Sequence, residues 1–136
     1  MYFFDSDTCI ELMRGRLPLT YELVRQSPPS LFGIPAIVQA ELRLGAAKSD
    51  DPQGGTLLLE RFLSPFATIP FDGECAASYG IIRADLEQRG YIIGPNDLFI
   101  AATAYAHNAV LITGNIREFS RVSGLQVQRW DEVMLS

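Results

Sequence analysis

Asp5 and Asp7 follow directly on Tyr2-Phe3-Phe4, Glu41 lies inside Ile37-Val38-Gln39-Ala40-Glu41-Leu42, and Asp97 opens Asp97-Leu98-Phe99-Ile100-Ala101-Ala102. A carboxylate placed among apolar residues must find a cation, a hydrogen-bond donor or a reaction to serve, because burying it unpaired is costly or forces it to take up a proton. An all-oxygen donor set of this kind selects hard cations such as Mg²⁺ or Mn²⁺, and Mg²⁺ keeps waters that a substrate phosphate can replace. Two such ions about 3.5 to 4 Å apart would clamp the attacking water and the leaving oxygen of an in-line phosphoryl displacement. No histidine is required for that chemistry. The single histidine, His107, follows an apolar stretch and suits a helix C-terminus, where it complements the dipole.

The acids can meet only if the elements carrying them do. Tyr2 to Phe4 reads as a short buried strand, and Asp5-Ser6-Asp7-Thr8 offers capping side chains for a helix running to about Arg14. A second helix is expected over Leu17 to Gln26, a brief strand over Leu31 to Ile34, and a helix from Pro35 to about Ala47. Lys48 to Gly55, rich in Asp, Pro and Gly, reads as a loop before helical spacing resumes over Thr56 to Ser64. Ala67 to Phe71 is strand-like. Asp72 caps a helix over Gly73 to Gln88, where Ala76, Tyr79, Ile82 and Leu86 recur at helical intervals and Gly90 is the stop. Asn96 or Asp97 would cap an apolar helix reaching His107. Strands are expected at Val110 to Thr113 and at Gln126 to Trp130.

Strands alternating with helices predict an α/β fold with a mostly parallel sheet covered on both faces, whose sites form at the carboxyl ends of the strands. Asp5, Asp97 and Asn115 fall there. Ile37, Ala40, Glu41 and Leu44 share one helical face, so Glu41 is expected on the stripe that docks on the core. Ile100, Ala101 and Ala104 form the corresponding stripe on the later helix, with Asp97 one turn before it.

The chain has 136 residues, fitting one continuous domain over 1–136 with no internal repeat. No apolar run approaches the roughly 20 residues of a membrane span, and no signal or transit peptide is readable, so a soluble cytoplasmic protein is expected. Cys9 and Cys75 lack the partners of a metal-ligand spacing and read as small buried hydrophobes. The net charge of -5 argues at first against a nucleic-acid partner. Setting aside Asp5, Asp7, Glu41 and Asp97, which a metal would neutralise, takes that figure from -5 to -1. Ten of the eleven basic residues are Arg, the side chain suited to bidentate phosphate contacts.

Four segments in order, Phe3-Phe4-Asp5-Ser6-Asp7, Gln39 to Ala46, Asn96 to Ala104, and Leu111 to Phe119 followed by Val122-Ser123-Gly124-Leu125 and Trp130, resemble PIN-domain ribonucleases of the VapC toxin type. The resemblance covers nearly the whole chain. It implies a PIN-like three-layer α/β sandwich and a Mg²⁺-dependent endoribonuclease, with Mn²⁺ as a possible substitute. It also implies a toxin held inactive by a small cognate antitoxin. By motif position Asp5, Glu41 and Asp97 take over the family's metal site. Some relatives place a fourth acid where Asn115 stands; others, with Thr-x-Asn-x-x-acid-Phe, place it at Glu118, the pattern that Thr113, Asn115 and Phe119 fit. Asn115 then orients a water or phosphate. Asp7 stands where the toxin branch commonly has Asn, and it either joins the site or caps the helix.

Several residues have ordinary structural readings as well. Asp72 is a cap, Glu118 either approaches the metal or is an exposed helical charge, and Thr113 either binds phosphate or ends a strand. Arg14, Arg16, Arg43, Arg117 and Arg121 are candidates for RNA or antitoxin contacts, or plain surface. Leu57 to Phe66 would serve as a homodimer face, an antitoxin groove or core. Phe3 to Thr8 also resembles the start of haloacid-dehalogenase phosphatases, with Asp5 and Asp7 as nucleophile and acid-base. That scheme and the receiver-domain scheme both need a late lysine, whereas the only lysine is Lys48. Both leave Glu41 without a role. A PIN fold that has lost catalysis and only binds RNA or protein is the non-enzymatic alternative.

Overall fold

The computed structural model describes residues 1–135. Five parallel strands form one sheet in the order β3-β2-β1-β4-β5, with β1 Tyr2–Phe4, β2 Phe32–Pro35, β3 Ala67–Ile69, β4 Val110–Thr113 and β5 Gln126–Arg129. Parallel neighbours cannot be joined by hairpins, so every connection is a helical crossover. α1 (Ser6–Met13) and α2 (Pro18–Gln26) link β1 to β2, while α3 (Ala36–Ala47) and α4 (Pro52–Leu63) link β2 to β3. α5 (Gly73–Gln88) and α6 (Pro95–Ala106) carry the chain across to β4, and the single-turn α7 (Ile116–Phe119) leads to β5. The architecture is the three-layer α/β sandwich read from the alternation of elements.

The central strand shows why the sheet is covered on both sides. Consecutive side chains on a strand face opposite ways: Phe4 stacks on Phe32 at 5.4 Å and meets Phe66 edge-on just beyond α4, while Phe3 meets His107 at the end of α6. Tyr2, Phe3 and Phe4 are all buried, as a strand sandwiched between two helical layers requires. Gly33 is forced by the same crowding, because a Cβ there would lie 2.8 Å from both Phe3 and Ile69. Cys9 and Cys75 are buried free thiols, as read from the sequence.

Four element details differ from expectation. Pro52 to Gly55 are not loop but the first turn of α4: Pro52 presets the backbone at N1, and Asp51 accepts a hydrogen bond from the Gly54 amide at 3.1 Å. α6 starts at Pro95 with Gly94 as its cap, and neither Asn96 nor Asp97 caps it. On α5 it is Cys75, with Ile82 and Leu86, that faces the core, while Ala76 is exposed. On α3 the buried stripe is Val38 and Leu42, and Leu44 is 59% exposed. Glu41 therefore sits on the flank of the docked face rather than within it, half-buried at the rim where α3 meets α1 and α6.

Candidate active site

Asp5 leaves the sheet at the carboxyl end of β1 and caps α1, accepting from the Thr8 amide at 2.9 Å. It is 5% exposed, and both its oxygens are held: the Thr8 hydroxyl lies 2.5 Å from Oδ1, and the Thr113 hydroxyl donates to Oδ2 at 2.5 Å. Thr113 in turn accepts from the Asn115 amide at 2.9 Å, so the last residue of β4 locks the acid at the end of β1 to the turn that follows β4. Thr113 ends β4, as one of its two readings had it, and its hydroxyl is engaged with Asp5. Burial outweighs these hydrogen bonds and the Asp5 carboxyl is pushed up from its ordinary range.

Asp97, in the first turn of α6, faces the same space. Its carboxyl is pushed up to about 7, first by burial and then by Glu118, with Asp5 and Glu41 adding to the repulsion. Glu118 is half-buried on α7 and is fixed through Oε1 by the Gly94 amide at 2.7 Å and through Oε2 by the Asn115 side chain. Glu41 approaches from α3, accepting from the Ser6 hydroxyl at 2.6 Å and from the Asn96 amide at 3.2 Å. The sequence-derived residues Asp5, Glu41, Asp97, Asn115 and Glu118 thus come from four separate segments of the chain to one end of the sheet.

Asp7 stays outside. It is exposed in the first turn of α1, leaves capping to Asp5, and acts on the site only as a nearby charge that raises Asp5 further. Sequence reasoning gave Thr8 and Ser6 only a capping role and Asn96 a cap of its own helix; the structure turns all three toward the acids. Their signal was positional, since each lies within three residues of an acid.

Counter-charges are spent elsewhere. Among the described residues, the ion pairs join Arg16 to Glu11, Arg25 to Glu22, Arg43 to Glu60, Arg83 to Glu87, Arg89 to Asp85 and Arg129 to Asp131. Among the described residues no Arg or Lys forms an ion pair with Asp5, Glu41, Asp97 or Glu118. Arg121 is also engaged, donating to the Ile92 carbonyl at 2.7 Å and lying over the Tyr91 ring. Among the described residues no three His, Cys, Asp or Glu side chains close into one coordination shell. An all-carboxylate set short of positive charge, with one member holding a proton near neutrality, still fits a hard divalent cation and fits no soft one.

Fold and site together define a class, an acidic nuclease at the carboxyl edge of a parallel sheet. Residues 2–125 match the family model of the PIN domain. Over 135 residues the chain is 38% identical to "Ribonuclease VapC2" of Rickettsia felis, covering 97% of this chain and 99% of the relative. It is 32% identical over 129 residues to the "tRNA(fMet)-specific endonuclease VapC" of Salmonella typhimurium, covering 95% and 97%. DNA-bound VapBC from Salmonella typhimurium superposes with a TM-score of 0.90 at 31% identity over 95% of this chain and 97% of that one. VapBC2 from Rickettsia felis bound to a promoter DNA fragment gives 0.86 at 36% identity over 96% and 98%.

The chain belongs to the PIN-domain family and, within it, to the VapC ribonucleases. It is a ribonuclease toxin of a toxin-antitoxin pair. Nucleases of this family depend in general on a divalent metal. The phosphatase reading fails on the same findings.

Proposed function

We propose that this chain hydrolyses a phosphodiester bond of RNA at a Mg²⁺ centre held by Asp5, Asp97 and Glu41, with Glu118 and Asn115 completing the pocket, and with Mn²⁺ able to substitute. The observation that carries this is the convergence of Asp5, Glu41 and Glu118 on Asp97, with none of the four in an ion pair among the described residues. A bound divalent ion would supply Lewis-acid stabilisation of the charge that develops on the phosphoryl group. The chain's own residues do the rest. Thr8 and Thr113 fix Asp5 in one orientation. With its carboxyl raised to about 7, Asp97 is partly protonated near neutrality, so cation binding there would be pH-dependent. Asn115 and the Gly94 amide hold Glu118 against Asp97.

The name of the Salmonella relative makes tRNA(fMet) the first substrate to test. For the antitoxin, the groove between α1, α2 and α4, with Leu12, Tyr21, Val24, Phe62 and Phe66 along it and Arg25 and Arg61 beside them, suits an apolar segment carrying acidic residues. Leu57 and Leu58 are exposed on α4 and suit the same partner or a second copy of the chain. No helix is long and apolar enough to cross a membrane among the described residues, and a cytoplasmic site of action is part of this proposal.

The test is cleavage of a purified tRNA pool with and without Mg²⁺ by wild type and Asp5→Ala. Metal-dependent cleavage lost in the variant is expected. Cleavage that persists in EDTA and in Asp5→Ala would overturn the reading, and absence of cleavage by a metal-binding wild type would favour the inactive, binding-only form of the fold.

A further inference from the structure

We infer that Ser6 and Asn96 are positioning residues that aim Glu41 at the metal, an inference that rests on the function proposed above. Glu41 stands on α3, whose docked face is Val38 and Leu42, so packing fixes the helix but leaves the Glu41 side chain at its flank. A half-buried glutamate with three free torsions and three acidic neighbours would swing toward water. Two neutral donors stop it. The Ser6 hydroxyl donates to Oε1 at 2.6 Å, and the Asn96 side-chain amide donates to Oε2 at 3.2 Å. The amide orientation is dictated by chemistry, since its oxygen cannot face a carboxylate.

The donors are placed by the other two acids. Ser6 follows Asp5 and Asn96 precedes Asp97, so the β1–α1 junction and the first turn of α6 each contribute one acid to the pocket and one donor to Glu41. Asp5 caps α1 through Thr8, which frees the Ser6 hydroxyl from capping and lets it reach across to α3. Each oxygen of Glu41 accepts one bond and retains a lone pair, so the clamp orients the carboxylate without consuming it. Neutral donors suit the task where a basic residue would not: an Arg or Lys here would compete with the cation for the same charge. Groups that orient a ligand in this way typically cost about 10- to 100-fold in metal affinity when removed.

The test is a Mg²⁺ and Mn²⁺ titration of the full chain followed by melting temperature, without RNA, for wild type, Ser6→Ala, Ser6→Thr and Asn96→Ala. The expected result is a midpoint raised roughly 10-fold or more in Ser6→Ala and Asn96→Ala, and restored in Ser6→Thr, which keeps the hydroxyl. In EDTA the melting losses of Ser6→Ala and Glu41→Ala should be less than additive, because both break one shared bond. That second measurement holds even if Ser6→Ala is less stable overall. Wild-type midpoints in both alanine variants, or strictly additive losses, overturn the clamp alone. A wild type whose melting ignores both metals overturns the proposed centre and the clamp with it.

Discussion

Replacing Asp97 by Asn should stabilise the metal-free protein and abolish its response to metal. The Asp97 carboxyl is raised from 3.8 to about 7 by burial and by Glu118. Between those limits the folded state holds a proton that the unfolded chain has released, so stability falls as pH rises from about 4 to about 7 and then levels off. At pH 8 the folded protein carries the full cost of an ionised Asp97 beside Glu118. One pKa unit corresponds to about 1.4 kcal/mol, but Asp97 is only half-buried, and water screening reduces the usable cost to about 1–2 kcal/mol. For a chain of this length that is about 4–7 °C in melting temperature. Asn has no charge to lose and keeps a donor for Glu118, so Asp97→Asn should melt higher than wild type at pH 8 in EDTA and match it more closely near pH 5. Adding Mg²⁺ reverses the order, since a ligand at 100 times its Kd contributes about 2.7 kcal/mol to wild type and nothing to a variant that cannot hold it. Differential scanning calorimetry at the two pH values, with and without metal, reads all four states. An Asp97→Asn protein that is less stable than wild type in EDTA at pH 8, or that gains equally from Mg²⁺, refutes the reasoning.

Three further outcomes are expected. Thr113→Val removes the donor to Asp5 Oδ2 and the acceptor of the Asn115 amide, leaving a buried carboxylate oxygen short of a partner; urea unfolding should show a loss of about 1–3 kcal/mol, and an unchanged midpoint contradicts it. Gly114→Ala would set a Cβ 2.6 Å from the Trp130 ring, costing about 1–3 kcal/mol, and because Trp130 is the only tryptophan its fluorescence should shift with it. Glu118→Gln removes the largest charge acting on Asp97, so the Asp97 carboxyl, followed by carbon-detected NMR in the metal-free protein, should titrate lower than in wild type; a titration that stays put contradicts the role given to Glu118.

The positions of Asp5 and Asp97 were legible because both follow from connectivity: an acid just past a buried strand, or in the first turn of a helix pointing at the sheet's carboxyl edge, has one place to go. Glu41's approach to the other acids was legible, but for the wrong reason. Helical periodicity assigned it to the core stripe, yet Ala and Gly at neighbouring positions of α3 leave the phase of the docked face undetermined, and packing chose Val38 and Leu42. The start of α4 was hidden because Pro52, Gly54 and Gly55 are turn residues by composition, while the capping bond of Asp51 that makes them helical is a three-dimensional fact. Thr8, Ser6 and Asn96 were read as caps because a short polar side chain near a helix start usually is one. Whether it reaches its own backbone or another element depends on neighbours far away in sequence.

We propose that oxygen atoms of Asp5, Glu41 on α3 and Asp97 on α6 share a divalent ion. Diffraction from crystals grown with Mn²⁺, recorded at a wavelength where manganese scatters anomalously, tests it directly. A single strong anomalous peak, or a pair, within about 2–2.5 Å of carboxylate oxygens of Asp5 and Asp97 and on the Glu41 side of the pocket is the predicted result. A map whose only manganese peaks lie on exposed acids such as Asp50 or Glu74, with this pocket empty at saturating Mn²⁺, would contradict it.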